Sequence, residues 1–404
     1  MNVLHVSPSF YPATRFGGPI WSTLELCNCL AEQPNLNVKV VTTDMGCEGV
    51  DTHSKSCSLQ NFMPLNYDVT YARCIFGRDI APGLITTLLQ EIRRADIIHL
   101  TGVYSFPTLP TLFLARAAKK PVLWSPRGAL LASENWEAAS HPKKKRAWEA
   151  CCTRLSSKSR TVLHVTSQPE LGASLGRMPQ LRAVMIPNGV EIPRNIAPPK
   201  RKLTRERCKD EALNILYIGR LHPIKALENL IVALSILPTG FATLSILGRG
   251  SSAYKGDLVN LVNSLGLTES VSFHGHFDED AKQEAYARAD VCVLPSHSEN
   301  FGMVVAEALA SCTPVIASAG VPWPELEVRN CGIWTKDNTP ECLAEALIDI
   351  NQRDRRTMGR NGRRWMQSEF NWHQISRMFV SVYEAMRHNT HLDDPPFIAL
   401  DDLK

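Results

Sequence analysis

The sequence predicts an α/β protein built from two doubly wound parallel sheets, and three observations support this class. Short apolar runs rich in β-branched residues recur along the chain, as at 37–43 and 291–294, which is typical of strands buried on both faces of a parallel sheet. Helical segments separate these runs, so strand and helix alternate. The alternation stops in a polar, proline-containing stretch and then begins again, which predicts two domains of similar size.

The first half of the chain contains six predicted strands, at 3–6, 37–43, 96–100, 121–125, 161–167 and 183–187. Helices are predicted between them at 20–30, 84–94 and 143–155, with one more near Glu170. In the first helix the predicted core side carries Trp21, Leu24, Leu26 and Leu30. Residues 47–66 show no periodicity and are predicted to form a loop.

The second half repeats the pattern, with predicted strands at 212–219, 242–247, 271–273, 291–294 and 314–317. Helices are predicted at 228–237, 303–310 and 372–386. Residues 193–207 contain three prolines and many charges but few large apolar groups, which indicates a linker. We therefore expect an N-terminal domain over 1–190, a linker over 191–207 and a C-terminal domain over 208–371, with a ligand-binding cleft between the domains.

Composition narrows the classes of function. The net charge of +4 is mild, and without a long basic tract or interleaved aromatic residues nucleic acid is not an expected partner. The twelve cysteines include no C-x-x-C pair, which argues against a zinc site and against a disulfide framework. The first residues read as a strand, so a signal peptide is not expected, and no apolar run is long enough to predict a bilayer-spanning helix. A cytoplasmic protein is expected, with association at the inner face of the membrane left open because Lys143 to Arg146 form a basic run.

The most informative stretch is the turn at 298–302, which connects the strand at 291–294 to the helix at 303–310. Free N–H groups at a helix start, with the positive end of the helix dipole, attract phosphate. Glu299 lies in the turn, while Glu307 lies about two helical turns later, and carboxylates accept hydrogen bonds from sugar hydroxyls. Together these features suggest a nucleotide sugar. The plainer alternative is a capped helix that carries two ordinary acids.

Positive charge in the same half favours the ligand-binding interpretation. Arg220 and Lys225 flank the turn after the strand at 212–219, where they can neutralise a diphosphate and stabilise a leaving phosphate. Gly248 and Gly250 follow another strand and permit close approach to the backbone, and His274 ends the next strand, where it can meet a nucleotide base. The acidic run at 278–280 opens a helix, where acids favour the dipole, so no metal ion is expected.

Strand ends in the first half supply further candidates. Gly17 and Gly18 follow the first strand but do not form the G-x-G-x-x-G pattern of a dinucleotide site. His99 and Thr101 end the strand at 96–100, where ligands bind in open α/β sheets, although a lone histidine there is often structural. Arg127 leaves the next strand and can bind phosphate, an acidic acceptor or a surface acid. Asn188 and Gly189 form a turn signal.

Taken together, these motifs resemble the retaining glycosyltransferases of family 4. The resemblance covers nearly the whole chain and rests on six motifs, namely Gly17-Gly18, Asp96 to His99, Ser125 to Gly128, Ile186 to Val190, Gly219 to Leu221 with Lys225, and Glu299 to Glu307. It is greatest to bacterial members that build exopolysaccharide or lipopolysaccharide. It implies the GT-B fold, in which two Rossmann-like domains face a central cleft and the last helix, about 372–388 here, packs back on the N-terminal domain.

The resemblance also implies residue roles. Arg220 and Lys225 would hold the donor diphosphate, Glu299 with the backbone of Asn300, Phe301 and Gly302 would position the donor sugar, and Glu307 would bind the ribose. The loop at 17–18 would approach the phosphate from the acceptor-side domain. The donor would be a nucleotide-diphosphate sugar and the acceptor a glycan or a lipid-linked glycan. No metal or other cofactor is implied, and the anomeric configuration would be retained.

Three departures from the family pattern affect these expectations. Relatives often carry His-x-His-Gly where this chain has 99–102, so Thr101 takes the place of the second histidine, and the acceptor-side role lies with His99 or Thr101. Ala226 and Cys312 replace usual glycines; Ala226 is expected to suit a helix start, whereas Cys312 lacks an easy left-handed cap, at a cost of about 1 kcal/mol. The alternative functions are a non-catalytic sugar-nucleotide-binding partner and a GT-B nucleotide-sugar epimerase.

Overall fold

The computed structural model describes residues 1–47, 65–75, 80–131, 142–194, 212–275, 277–388 and 397–398. Most of the predicted loop at 47–66 and of the linker at 191–207 therefore lies outside the described residues. The chain divides into two compact units, of which the first contains Met1–Gly189 with Trp372–Lys404 and the second contains Val190–Asn371.

The first unit is built on a seven-stranded parallel sheet with the strand order β3-β2-β1-β4-β5-β6-β7. Its strands are β1 (Asn2–Val6), β2 (Asn37–Thr43), β3 (Asp68–Ala72), β4 (Ile97–Thr101), β5 (Val122–Ser125), β6 (Thr161–Val165) and β7 (Arg182–Met185). Its helices are α1 (Gly18–Ala31), α2 (Gly83–Arg94), α3 (Thr108–Ala117), α4 (Pro142–Leu155), α5 (Gln168–Arg177) and, from the end of the chain, α12 (Trp372–Arg387).

Both faces of the first sheet are covered, because alternate residues of each strand point to opposite sides. Leu4 and Leu100 belong to a core with residues of α2, α3, α4 and α5, whereas Val3 and Leu123 belong to a core with residues of α1 and α12. The residues at the two ends of the chain thus share one hydrophobic core. Burial of this core is the main source of stability for the unit.

The first helix differs from the prediction at Trp21. Leu24, Leu26 and Leu30 are buried as predicted, but Trp21 is 44% exposed. The buried stripe of α1 begins instead at Ile20, since Ile20 and Leu24 are four residues apart and share a helix face. Trp21 lies next to that stripe, where its ring contacts Tyr11 with a centroid separation of 5.8 Å.

The second unit is built on a six-stranded parallel sheet with the order β10-β9-β8-β11-β12-β13. Its strands are β8 (Leu213–Ile218), β9 (Ala242–Leu247), β10 (Val271–Gly275), β11 (Val291–Leu294), β12 (Val315–Ser318) and β13 (Gly332–Thr335). Its helices are α6 (Leu227–Ile236), α7 (Ser252–Ser264), α8 (Glu279–Arg288), α9 (Met303–Ala310), α10 (Pro340–Gln352) and α11 (Arg355–Trp365).

The two parallel sheets and their helices confirm the predicted class of two Rossmann-like α/β domains. Each sheet has a point at which the strand order changes direction, between β1 and β4 in the first unit and between β8 and β11 in the second. Loops leave such a point in opposite directions and form a crevice beyond the carboxyl ends of the strands. Among the described residues, no helix is both long enough and apolar enough to cross a membrane.

Candidate functional site

The topology of the second unit brings three candidate residues to its switch point. The loop after β8 carries Arg220 and Lys225, and the loop after β11, the neighbouring strand, carries Glu299. Arg220 is exposed, whereas Lys225 and Glu299 are partly buried. Because both strands are parallel, both loops leave from the same edge of the sheet. Two cations and one carboxylate therefore share the edge at which open α/β sheets bind ligands.

Lys225 and Glu299 form an ion pair between these two loops. Lys225 Nζ donates to Glu299 Oε1, and each side chain is only 14% exposed. Ser296 Oγ donates to the same carboxylate oxygen at 3.0 Å. The two loops are also joined through the backbone, since the N–H of His297 donates to the carbonyl of Ile224 at 2.9 Å. Glu299 is thus held in one orientation by a cation, a hydroxyl and a fixed loop.

The turn that carries Glu299 is fixed by close packing against the segment after β12. The N–H of Glu299 donates to the Gly320 carbonyl at 2.8 Å. A Cβ on Gly320 would lie 2.2 Å from the carbonyl oxygen of His297, so only glycine allows the two turns to meet. Gly302, with φ 80°, ends the turn and caps α9. The turn predicted at 298–302 and the helix predicted at 303–310 are both observed.

Phe301 contributes its backbone to this edge, while its side chain belongs to the core. The ring is 6% exposed and packs against Trp323 and Phe370, with centroid separations of 5.1 and 6.2 Å. Trp323 Nε1 donates to the Phe301 carbonyl at 2.5 Å. Asn300 lies beside it in the same turn. This aromatic packing anchors the start of α9, whose N-terminal N–H groups carry partial positive charge.

Glu307 lies on α9 and is held by two side chains of α8. Tyr286 donates its hydroxyl to Glu307 Oε2 at 3.0 Å, and Lys282 Nζ lies 3.2 Å from Oε1. Lys282 also pairs with Glu279 at 2.8 Å. Burial lowers the pKa of Lys282, but the charges of Glu307 and Glu279 outweigh it and the pKa is raised overall. Burial and then Glu307 raise the pKa of Tyr286, so its hydroxyl stays a donor.

The close approach expected at Gly248 and Gly250 is made by the protein's own backbone. A Cβ on Gly248 would lie 1.8 Å from the Gly219 carbonyl oxygen, and a Cβ on Gly250 would lie 2.1 Å from the Leu221 carbonyl oxygen. The N–H of Leu221 donates to the carbonyl of Arg249 at 2.8 Å. These glycines therefore join the loops after β8 and β9, which fixes the backbone on both sides of Arg220.

Ala226 and Cys312 stand where the sequence pattern expects glycine, and both adopt a left-handed backbone conformation. Ala226 has φ 48°, so it adopts the left-handed conformation that favours glycine, and the expectation of an ordinary helix start was wrong. It both ends the short 3₁₀ turn at Pro223–Lys225 and caps α6. Cys312 has φ 62°, the left-handed position that the sequence pattern predicted after α9.

His274 is exposed on β10, where its Nε2 lies 2.9 Å from Ser272 Oγ.

In the first unit the switch point lies between β1 and β4. Gly17, with φ 71°, caps α1, and Gly18 is the first residue of that helix. A Cβ on Gly17 would meet nothing within 4 Å, so its conformation rather than crowding favours glycine there. Thr101 ends β4 and is buried, with Oγ1 3.1 Å from His5 Nε2.

His99 is fully buried under α12, in a chain of hydrogen bonds whose direction is fixed. His164 Nε2 must donate to the Ile186 carbonyl at 2.9 Å, so His164 Nδ1 accepts from Ser125 Oγ at 2.6 Å. Ser125 then accepts from His99 Nε2 at 2.7 Å, and His99 Nδ1 accepts from the Tyr383 hydroxyl at 2.7 Å. Both ring nitrogens of His99 are therefore engaged within the protein.

Burial keeps the histidines of this cluster neutral. Burial, followed by the charge of Arg127, lowers the pKa of His5 to about 3. The pKa of His164 is also lowered to about 3, mainly by burial and then by Arg127. The pKa of His99 is lowered by burial and by its neighbours His5 and His164. The cluster therefore packs α12 onto the sheet as a set of uncharged groups.

Arg127 follows β5, where Asn188 holds its side chain and Glu170 holds the adjoining backbone. Arg127 has φ 55°, and its Nη1 donates to Asn188 Oδ1 at 2.6 Å. Its buried Nε has no hydrogen-bond partner among the described residues. Glu170 fixes the adjoining backbone by accepting from the N–H of Gly128 at 2.6 Å and from the N–H of Thr166 at 2.8 Å. Burial raises the pKa of Glu170 and lowers that of Arg127.

The sequence did not identify five residues that position these candidates, namely Ser296, Lys282, Tyr286, Glu170 and Tyr383. Lys282 and Tyr286 are four residues apart in α8, a spacing that places both on one helix face. That signal was available, but their partner Glu307 lies on another helix and the contact depends on the tertiary fold.

Comparison with known proteins yields one family model and many relatives. Residues 201–365 match the family model described as Glycosyl transferases group 1. The D-inositol 3-phosphate glycosyltransferase of Mycolicibacterium vanbaalenii is 34% identical over 160 residues, which cover 36% of this chain and 35% of that protein. Alignments with further D-inositol 3-phosphate glycosyltransferases cover 34% to 51% of their lengths. The chain thus spans about a third to a half of the curated relatives it matches.

Solved structures resemble the chain over nearly its whole length. The Alr3699/HepE protein of Anabaena, solved in complex with UDP, has a TM-score of 0.69 and 17% identity over 95% of this chain and 100% of that chain. Sucrose-phosphate synthase of Thermosynechococcus elongatus has a TM-score of 0.71 and 21% identity over 96% of this chain and 100% of that chain. These likenesses confirm the predicted GT-B class of fold.

Proposed function

We propose that this chain is a glycosyltransferase that takes a sugar from a nucleotide-diphosphate donor bound by its second unit. The observation that carries the proposal is the Lys225–Glu299 ion pair at the β8/β11 switch point, with Arg220 on the same loop as Lys225. The match of residues 201–365 to a glycosyltransferase family model and the UDP complex of the Anabaena relative both support it.

The donor's diphosphate would be bound by Arg220, Lys225 and the N–H groups at the start of α9. When the bond between sugar and phosphate breaks, negative charge grows on the leaving phosphate, and fixed cations and N–H dipoles stabilise that charge without reorganising. Lys225 would contact both the phosphate and Glu299. Glu299 would then accept hydrogen bonds from the sugar hydroxyls, which fixes the anomeric carbon relative to the leaving group.

The nucleoside end of the donor would lie against Glu307. Its two oxygens already accept from Lys282 and Tyr286, so the carboxylate is fixed in position while its remaining lone pairs can accept from ribose hydroxyls. We further propose that transfer retains the anomeric configuration, with the leaving phosphate taking the proton of the acceptor. Because cations of the chain neutralise the diphosphate, the proposed reaction needs neither a metal ion nor another cofactor.

The acceptor would bind the first unit, near the carboxyl ends of β1, β4 and β5. His99 is enclosed by hydrogen bonds within the protein, so we assign the acceptor-side contacts to Arg127, to Thr101 and to the loop at Gly17 and Gly18 rather than to His99. Arg127 suits an acceptor that carries an acidic group. We propose a glycan or lipid-linked glycan of cell-surface polysaccharide biosynthesis; the relatives named for D-inositol 3-phosphate make inositol phosphate the comparison acceptor in the test.

The outer face of α4 supports peripheral association with an anionic membrane. Lys143, Lys144, Arg146 and Arg154 are all exposed, and Phe113 on the adjacent α3 is 57% exposed. Each basic residue near an anionic surface adds about 1 kcal/mol of attraction. Vesicles with anionic lipid should bind the protein at low salt and release it at high salt. Equal binding to neutral vesicles would contradict this part of the proposal.

The central test measures release of nucleoside diphosphate and formation of glycoside with UDP-, GDP- and ADP-sugars, with and without glycan and inositol phosphate acceptors. Glu299→Gln and Lys225→Met should each lower turnover by about 10²–10³-fold, the range typical for loss of one fixed electrostatic contact. Glu284→Gln, in an exposed pair with Arg288 on α8, is the matched control and should keep full activity.

Different outcomes separate the alternatives. Full activity of either site variant would overturn the assigned roles. A wild-type protein that binds a donor without turnover would be a sugar-nucleotide-binding partner, and one that forms an epimeric sugar nucleotide without acceptor would be an epimerase. The anomeric configuration of the product, read by NMR, tests retention. Activity that disappears in chelator and returns with Mg²⁺ or Mn²⁺, but not with Zn²⁺, would refute the metal-free mechanism.

A further inference from the structure

The first and last helices of the first unit bring together three side chains of types that bind transition metals. Cys29 lies in the last turn of α1, Glu32 caps the end of that helix three residues later, and His373 is the second residue of α12. One potential ligand atom from each of these residues lies within 4.8 Å of the other two. His373 Nδ1 and Glu32 Oε2 are 3.8 Å apart. We propose that Cys29, Glu32 and His373 form a binding site for a divalent transition metal, with Zn²⁺ as the best fit.

The types of ligand favour zinc over magnesium or calcium. Zn²⁺ is bound in proteins by thiolate, imidazole and carboxylate groups, in tetrahedral geometry, whereas magnesium and calcium prefer oxygen ligands alone. Ligands about 2.0–2.3 Å from a tetrahedral ion lie roughly 3.3–3.8 Å from one another, so the site must contract slightly. Glu32 and His373 have side chains that are 55% and 70% exposed, which leaves them free to make that adjustment.

Two carboxylates lie near the thiol of Cys29. Glu32 and Glu25 both interact electrostatically with that thiol, and their negative charge attracts a divalent cation. On binding, the sulfur loses its proton to solvent and forms the bond to the metal, with no change of oxidation state.

The packing of the two helices holds the site in place. Gln33 Nε2 donates to Ser376 Oγ at 3.3 Å. Gln33 follows Glu32 just beyond α1, and Ser376 is three residues after His373 on α12. Leu30 of α1 also lies in the apolar core that α1 shares with α12. A bound metal would therefore connect the beginning of α12 to the end of α1. The sequence contains no C-x-x-C pair. A site whose ligands come from opposite ends of the chain does not need one, so this pattern does not reveal it.

The test uses the full chain after removal of metal with a chelator. Titration with Co²⁺ as a spectroscopic probe should give one thiolate-to-cobalt absorption band that saturates at one equivalent, and Zn²⁺ should displace the cobalt. Zn²⁺ should also raise the Tm by several degrees, since a ligand that binds only the native state stabilises it. Because binding releases the thiol proton, the apparent affinity should rise about tenfold per pH unit above neutral pH.

Variants separate this site from adventitious binding. Cys29→Ser should abolish the absorption band, and His373→Ala, an exposed position that folding tolerates, should weaken binding at least tenfold. Cys151→Ser, at an exposed cysteine on α4, is the matched control and should bind as the wild type does. Absence of the thiolate band, or a band of equal strength in Cys29→Ser, would overturn the proposal. The result does not depend on glycosyl transfer, which is not the readout.

Discussion

The buried histidine cluster under α12 makes the stability of the first unit sensitive to acid. His5, His99 and His164 are neutral in the folded protein because burial lowers each pKa, to about 3 for His5 and His164. In the unfolded chain a histidine has a pKa of about 6.5. Below that value the unfolded state binds three protons that the folded state does not, so stability is present above about pH 6.5 and is lost as the pH falls.

The size of the loss follows from the number of protons. Between pH 7.0 and pH 5.5 each such histidine lowers the free energy of unfolding by about 1.3 kcal/mol, which gives about 4 kcal/mol for three. Glu170 acts in the opposite direction, because its raised pKa adds stability as the pH falls. We therefore expect a net loss of up to about 4 kcal/mol, a large part of the roughly 5–15 kcal/mol that stabilises a typical domain.

Urea unfolding of the full chain measures this loss when hydrogen exchange of the amides in β4, β5 and β6 is used as the probe, because those strands belong to the first unit. His5→Gln should reduce the pH dependence by about a third, because one of the three protons is removed. His388→Gln, at an exposed residue, should leave it unchanged. A loss of stability below about 1 kcal/mol between these pH values, or an unaltered pH dependence in His5→Gln, would refute the reasoning.

Three further substitutions test the second unit. Gly248→Ala places a Cβ against the Gly219 carbonyl oxygen, so the free energy of unfolding measured in urea should fall by about 1–3 kcal/mol or more. Binding of the sugar nucleotide should also weaken, and wild-type values for both quantities would contradict the close packing. Tyr286→Phe removes the hydroxyl that donates a hydrogen bond to Glu307. Calorimetry should show that the sugar nucleotide binds about 1 kcal/mol, or roughly fivefold, more weakly, whereas unchanged affinity would show that this hydrogen bond does not contribute to binding. Cys312→Gly relieves a left-handed residue and should raise stability by about 1 kcal/mol, while a lower Tm would show that the cysteine's packing matters more than its φ.

Local patterns accounted for the elements that carry the donor site. The strand at 291–294 and the helix at 303–310 were predictable because apolar composition, a polar turn and a glycine all indicate the same boundaries. Parallel strand–helix units place the loops after the strands at one edge of the sheet, so the shared edge of Arg220 and Glu299 was also predictable. The strand order itself was not predicted. The candidate roles of Arg220 and Glu299 required no long-range information beyond the alternation itself.

The sequence was less informative where a backbone conformation depends on a neighbouring loop. Gly248 and Gly250 were predicted to allow close approach to the backbone, and the loop after β8 makes such an approach to both, a partner that the sequence did not indicate. Ala226 looked like a good first residue of a helix, but the turn before it ends in a left-handed conformation. In both cases the decisive partner is another backbone segment, and composition and periodicity do not indicate where that segment passes.

The position of α12 in the chain has a consequence for biosynthesis. One face of the first sheet is completed by Ile375, Phe379 and other residues of α12, which are made after the whole second unit, residues 190–371. At roughly 5–20 residues per second, a ribosome needs about 10–40 s to make that unit. During this interval the histidine cluster and its apolar surroundings have no helix to cover them, and the second unit can fold before the first is complete. The nascent first unit is therefore the stage of synthesis at which protection by a chaperone would matter most.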